Sequence, residues 1–241
     1  MKLIACMSVY NEGQFIERVL RGLEKNGVDH AIAVDGAYVG FPHEAWHSTD
    51  GTEHELIKWP PDWMDIVSAP MDGWPGQEIK RTAYFRAADK IAEPGDWLIQ
   101  VDGDEELVED GADYRGFRIR DFIAGLPEHV NTIYVSIRNF YADKEPGNFD
   151  YWAKVYRWLP GLHYGHEHWD VLGGNGERVW DLGLNFQSRE ARVWPHFKFH
   201  HWTDSRSKER LDAKSEYENY RAEYRRQHTF MNPEPSIEVN L

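Results

Sequence analysis

One cysteine, Cys6, stands in a chain of 241 residues. A lone thiol excludes an internal disulfide framework. Cys6 sits in an apolar run, where an inert buried thiol is expected, and it suits a reducing compartment. Long apolar runs are also missing, and nothing approaches the roughly 18 residues of a membrane span. The N-terminal apolar run is short. It carries one Lys, is broken by Asn11 and Glu12, and lacks a small-residue cleavage site, so it reads as a strand and not a signal peptide. These features read together as a cytoplasmic protein with no membrane span. Positive charge is the third scarcity. There are 27 Lys and Arg against 41 Asp and Glu, a formal net charge of −14. Such a surface repels phosphates on average, which disfavours non-specific nucleic-acid or anionic-membrane binding. It is compatible with a site that needs a divalent cation to accept an anionic ligand.

Hydrophobic residues make up 41% and charged residues 28%, the proportions of a globular chain and not of a collagen-like or disordered one. The 12 His and 11 Trp fit metal or sugar chemistry, although cores also use Trp. Residues 3–9 are an apolar run, read as a buried strand. Asn11 stands at a helix-cap position with Gln14 three residues on, close to a capping box. Phe15, Ile16, Val19, Leu20 and Leu23 follow at helical spacing, and Gly27 ends that helix. Residues 31–34 form a second strand ending at Asp35. Strand, helix and strand with short links open a parallel α/β sheet.

Residues 36–62 read mostly as loop, with one short helix over 53–58. A third strand is expected over 66–69. Ile79, Ala83, Ala87 and Ile91 recur every four residues, which predicts a helix over 77–92, broken by Pro94 and Gly95. Residues 97–101 are a strongly apolar strand running into Asp102-Gly103-Asp104-Glu105-Glu106. Beyond it, a helix over 117–124 and strands over 132–137, 154–158 and 193–199 are expected. A last helix over 205–226 carries Tyr217, Tyr220 and Tyr224 on one face. With no repeat and no clean linker, residues 1–231 read as a single α/β domain with halves 1–110 and 111–231, and 232–241 as a loose tail.

Asp102-Gly103-Asp104 is the sharpest chemical signal. Its strand is apolar, so the carboxylates emerge at the carboxyl end, where open α/β sheets bind ligands. Residues i and i+2 of an extended segment point to one side. Gly103 removes a side chain where a ligand must come close. Hard oxygen donors of this kind suit Mg²⁺ or Mn²⁺, which also bind phosphate oxygens and can neutralise a diphosphate leaving group. The alternative is a solvated acidic turn.

The order of these pieces resembles glycosyltransferase family 2, the nucleotide-sugar-dependent enzymes with the GT-A fold. Cys6-Met7-Ser8-Val9-Tyr10-Asn11-Glu12 looks like the family's first strand followed by Asn-Glu, and Val34-Asp35-Gly36 like its second strand end. Ser48-Thr49-Asp50-Gly51-Thr52 looks like the turn that usually follows at once, here displaced by an insertion over 37–47. Lys80-Arg81 with Ala83 is similar to the family's Ala-Arg-Asn helix, with Thr82 where Asn is usual. The segment from Asp96 to Glu105 is a close match to its metal-binding segment. The resemblance covers roughly the first 110 residues well. It implies a GT-A-like (Rossmann-like), mostly parallel sheet flanked by helices, with a mixed C-terminal region on the acceptor side.

It also implies that Tyr10, Glu12 and Asp35, with Asn11 beside them, hold the base and ribose of a UDP- or GDP-sugar. Asp102 and Asp104 would handle the metal, Mn²⁺ or Mg²⁺, and the diphosphate beside Gly103. Asp35 can also be a turn or cap residue. Arg81 can reach the phosphates, or lie on a solvated helix face. In the second half, Lys154-Val155-Tyr156-Arg157 and Phe199-His200-His201-Trp202 are similar to a branch whose late histidine completes the metal site. That places His200 first and His201 as its near alternative, since adjacent strand residues face opposite ways.

His166 and His168 are candidates for metal or sugar hydroxyls. An inverting transfer needs a carboxylate to take the acceptor's proton, and Glu167, then Asp170, are the candidates. Of the Trp residues, Trp169 and Trp202 adjoin the site segments and are the favoured sugar platforms. The 37–47 insertion is read as a lid over the donor or as a surface loop. The expected function is metal-dependent transfer of a sugar to an acceptor hydroxyl, the acceptor being left open. The alternatives are a metal-dependent hydrolase built on the histidines, or a non-catalytic nucleotide- or glycan-binding module.

Overall fold

The computed structural model describes residues 1–42, 45–109, 118–141, 149–165, 171–177, 179, 194–204 and 208–228. Two compact units divide the chain: Met1–Val39 with His43–Arg206, and Gly40–Pro42 with Ser207–Leu241.

The larger unit opens with β1 (Leu3–Val9), α1 (Ile16–Lys25) and β2 (His30–Asp35). The short helix α2 (Thr52–Leu56) and strand β3 (Met64–Val67) follow, then α3 (Gln77–Ala88) and β4 (Trp97–Asp102). β1 pairs in parallel with both β2 and β4, and β3 extends the sheet from β2. The chain therefore leaves β1 in one direction and returns to its other side, which makes the β1–β4 boundary a topological switch point.

The second half is mixed. It contains β5 (Glu105–Glu109), α4 (Ile119–Ala124), β6 (Thr132–Tyr141), β7 (Phe149–Arg157), β8 (His163–Tyr164), β9 (Val171–Leu172) and β10 (Trp194–Asp204). The main sheet runs β3-β2-β1-β4-β7-β6-β10-β5, and β8 pairs with β9 apart from it. β7 is antiparallel to β4 and β6, whereas β10 is parallel to β6 and antiparallel to β5. Only residues 103 and 104 separate β4 from β5, yet the two strands are not neighbours in the order. The sheet must curl to bring them together, and its curl is centred on the Asp-Gly-Asp segment.

Alternation along β1 decides the core. Leu3, Ala5, Met7 and Val9 join one cluster with Ile16, Val19, Leu20 and Leu23 of α1. Ile4 and Cys6 join the other, with Ala83, Tyr84, Phe85 and Ala88 of α3. Full burial of one such large apolar side chain is worth about 1.5–3 kcal/mol. Cys6 is buried, and burial first, with Asp89 second, pushes its thiol pKa up, as befits an inert thiol.

The early elements fall where the apolar patterns place them, with shifted ends. The third strand lies two residues earlier than expected. α3 stops at Ala88, after which a tighter turn carries Ile91 and Ala92 towards Pro94. Asn11 does not cap α1; the residue before the helix is Phe15, with no side-chain cap. Asn11 instead takes a left-handed φ of 51° and turns its side chain to a distant loop. The acidic residues after Asp104 open a strand, β5, where no element was expected. A buried ion pair between Glu105 and Lys154 explains it. The smaller unit contains α5 (Lys208–His228), where Tyr217 and Tyr220 stack with centroids 6.4 Å apart and Phe41 packs 5.4 Å from Tyr217.

Candidate active site

The carboxyl ends of β1, β2 and β4 carry the residues that the sequence singles out. At the end of β2, Asp35 is 3% exposed. Its Oδ1 accepts from the Ser48 hydroxyl at 2.5 Å and its Oδ2 from the Ser48 amide at 2.9 Å. The Ser48 hydroxyl oxygen accepts in turn from the Asn11 amide at 2.8 Å. Asn11 Oδ1 accepts from the Thr49 amide, Thr52 Oγ1 from the Glu12 amide, and Asp50 Oδ2 from the Gly13 amide, at 2.8, 2.7 and 2.8 Å. The displaced Ser-Thr-Asp-Gly-Thr segment is thus bolted to both strand ends despite the insertion before it. Tyr10 is 7% exposed and donates its hydroxyl to the Ala45 carbonyl at 3.0 Å.

Two neighbouring cations of α3 lie beneath these ends. Lys80 is 1% exposed and donates to the carbonyls of Val9 and Gly36, both at 2.7 Å, with the Tyr38 ring centroid 5.2 Å away. It therefore ties β1 to the residue after β2. Burial holds its pKa down at about 7; the nearby Arg81 adds to this, and Asp35, Asp102 and Glu12 oppose it. Arg81 Nη2 donates to both carboxylate oxygens of Asp102, at 2.5 and 2.8 Å. Its Nε is buried and has no hydrogen-bond partner among the described residues. Burial pushes the Asp102 carboxyl up, but Arg81 and then Lys154 outweigh it and hold the pKa down at about 2. The solvated-face alternative for Arg81 is therefore excluded.

The turn after Asp102 is set by the pair beneath it. Lys154 of β7 donates to Glu105 Oε1 and Oε2 at 2.9 and 2.7 Å, and Glu105 Oε2 accepts from the Asp102 amide at 2.8 Å. Gly103 lies against the Glu12 side chain, where a Cβ would come within 2.6 Å of Cγ. A side chain at position 103 would displace Glu12, so this glycine serves close packing. Asp104 is 2% exposed, and its Oδ2 lies 3.2 Å from His201 Nε2. The other ring nitrogen, Nδ1, is 2.7 Å from Asn139 Oδ1. Burial lowers the His201 pKa, but the Asp104 hydrogen bond and charge, with Glu105 and Asp102, raise it overall.

His201, and not His200, stands beside Asp104. Neighbouring residues of β10 face opposite ways, and the strand register turns His200 to the side where Trp202 and Arg18 lie. Burial, then Arg138, Lys198 and Arg18, hold the His200 pKa down at about 4. Trp202, a favoured sugar platform, carries the Arg18 guanidinium 4.8 Å over its ring. His166, Glu167, His168, Trp169 and Asp170 lie outside the described residues.

Among the described residues no three His, Cys, Asp or Glu side chains converge to hold an ion, and Asp102 is turned onto Arg81. The Asp104–His201 couple still has the chemistry of a divalent site. A carboxylate oxygen and an imidazole nitrogen lie side by side, and a second hydrogen bond on Nδ1 sets the ring, the support usual for a metal-bound histidine. A carboxylate paired with an imidazole suits Mn²⁺ better than Mg²⁺, which prefers oxygen ligands throughout.

Beside Asp35 a cavity of about 480 Å³ opens, lined by Trp46, His47, Glu53, Ile66 and Ser68 among others. It occupies the carboxyl ends of β2 and β3.

No family model and no curated protein sequence matches the chain. Solved structures do. Residues 1–349 of S. aureus TarS align with 100% of this chain and 76% of that one, at 14% identity and a TM-score of 0.52. A longer TarS structure aligns with 96% of this chain at 14% identity and a TM-score of 0.51. The chain has the GT-A glycosyltransferase fold. The GT-A sheet, mostly parallel and curled with helices on its flanks, was the expected architecture. TarS 1–349 in complex with UDP aligns over 61% of the chain at 18% identity, with a TM-score of 0.43. The chain spans 44% of the longer TarS structure and 38% of the UDP complex.

Within this GT-A frame the structure brings together Tyr10, Asn11, Glu12, Asp35, Arg81, Asp102, Gly103 and Asp104, and leaves His200 apart. Lys80, Ser48 and the Glu105–Lys154 pair escaped the sequence reading as site residues. Ser48 was legible as part of the displaced turn. Lys80 had no signal of its own, since a lysine on a helix normally reads as solvent-facing.

Proposed function

We propose that this chain is a metal-dependent glycosyltransferase that moves a sugar from a UDP- or GDP-sugar to an acceptor hydroxyl, with inversion at the anomeric carbon. One observation carries the reading. A buried guanidinium and an oxygen–imidazole couple flank one strand end at the switch point of a GT-A sheet. Buried Arg81 has an unmet donor in Nε, and an anion such as a diphosphate would satisfy it.

In this reading Asp104 and His201 would hold Mn²⁺ or Mg²⁺, with further ligation from Asp102, water or phosphate oxygens. Such an ion supplies charge neutralisation of the departing diphosphate when bound. Arg81 stabilises the same developing charge from the protein side. Asp35, Asn11 and Glu12 hold the loop that shapes the nucleoside end. The acceptor oxygen attacks the anomeric carbon from the face opposite the diphosphate. The bond to the leaving oxygen breaks with its electron pair going to the diphosphate. Glu167, with Asp170 second, takes the acceptor proton.

Thermal shift with UDP and GDP, with and without Mn²⁺, tests the binding half, because a ligand of the native state alone raises the melting temperature. Sugar transfer or hydrolysis of the bound nucleotide sugar, lost in Asp104→Ala, tests the catalytic half. Stabilisation that needs Mn²⁺ supports the reading. No stabilisation by either nucleotide overturns it, and binding without turnover of any donor makes the chain a binding module.

A further inference from the structure

The cavity beside Asp35 is lined by two carboxylates and by His47. Its acidic members are Asp35 and Glu53. Carboxylates repel phosphate and accept from neutral N–H groups, so the cavity suits the base end of a nucleotide, with the phosphates left to Arg81. Tyr10, which the family resemblance assigns to the base, is buried and donates its hydroxyl to the backbone of Ala45. Its hydroxyl ties it to the return limb of the insertion.

The ring that lines the cavity belongs to that same limb. Trp46 is partly exposed and lies on the cavity wall. It is braced on both its backbone and its ring. Its carbonyl accepts from the Ala37 amide at 2.9 Å. Gly73, at φ +80°, packs directly on the indole, where a Cβ would come within 2.2 Å of Cε3 and 2.4 Å of Cζ3. A glycine in the left-handed region here lets the backbone approach the ring closely. A large aromatic side chain packed on that backbone and lining an open cavity can serve as a stacking platform.

We infer that Trp46, supplied by the 37–47 insertion, is the platform on which the donor's base stacks. Trp46 and His47, at the end of that insertion, are thus part of the donor site, and Trp46 sets base affinity. This rests on the nucleotide-sugar reading and deepens it.

Calorimetric titration of the full chain with UDP and with GDP in Mn²⁺, and with inorganic pyrophosphate in Mn²⁺, tests it in Trp46→Ala and Trp46→Phe. Stacking on an aromatic side chain is typically worth about a 5- to 150-fold change in affinity. Trp46→Ala should weaken the bound nucleotide by a factor in that range and leave pyrophosphate within about twofold. Trp46→Phe should recover most of the loss. Equal nucleotide affinity in the wild type and Trp46→Ala overturns the inference while leaving the glycosyltransferase reading intact. A parallel loss of pyrophosphate binding also overturns it, because it marks a general disturbance of the fold. If the wild type binds neither nucleotide, both readings fail together.

Discussion

The helices α1 and α3 pack on opposite faces of one sheet and are built on opposite plans. α1 buries Ile16, Val19, Leu20 and Leu23 and leaves its other side to charges such as Glu17 and Arg21. α3 buries residues all round, including Lys80, Arg81 and Thr82. A helix with one apolar stripe is held by packing alone. One that hides two cations must be held by partners for them, here two carbonyls and the Asp102 carboxylate. The difference separates a helix that supports the fold from one that builds a site, and each helix can be attacked on its own terms.

The largest effect is expected at Arg81. Arg81→Met strands the Asp102 carboxylate and should cost about 3 kcal/mol in urea unfolding, as breaking a buried pair typically does. On the proposed glycosyltransferase reading, sugar transfer should fall about 10²- to 10³-fold, the usual loss for one charge-stabilising donor. If stability and turnover both survive, α3 is merely a second packing helix.

Next comes Leu20→Ala on α1, expected to cost about 2–5 kcal/mol through the cavity it leaves. The kcat/KM of the folded fraction should stay within about twofold. A specific loss of turnover at unchanged stability would erase the contrast between the helices.

The third test is a pH series on Lys80. Its pKa is about 7 in the folded chain against an ordinary 10.5. Between those values the unfolded chain binds more protons, so the wild type gains stability as pH rises from about 7 towards 10.5 and loses that gain as pH falls back to 7. Lys80→Met lacks this titration. The stability difference between wild type and variant should therefore shift towards the wild type by up to about 1.4 kcal/mol per pH unit above pH 7. Parallel pH profiles would show that the buried lysine titrates normally.

The smallest effect belongs to the exposed face of α1. Arg21 pairs with Glu17 at 2.8 Å, both well exposed. Arg21→Ala should change stability by less than about 0.5 kcal/mol. A larger loss would mean that this face is covered by something.

Legibility in the sequence follows the same division. α1 and the strands β1, β2 and β4 were readable because their apolar residues repeat with the period of the element, and burial enforces that period. Asp35, Asp102 and Asp104 were readable as carboxylates at strand tips. Lys80 was not, since its burial depends on carbonyls contributed by residues 9 and 36. His201 and His200 were separated only by the register of β10 against β5, which pairs His201 with Glu105 and His200 with Glu106. A shift of one residue would exchange their faces. Strand β5 was hidden because its leading acid, Glu105, is held inside by Lys154, 49 residues further on.

Local chemistry by itself therefore determined the opening strands and first helix and the placing of carboxylates at the sheet edge. Each follows from side-chain periodicity or from a run of neighbours. The tertiary structure alone decided which histidine meets Asp104, that Arg81 faces inward, and that the insertion returns to Asp35 beside an open cavity. Those are pairings between distant segments, fixed by sheet register and by the need to match buried charges.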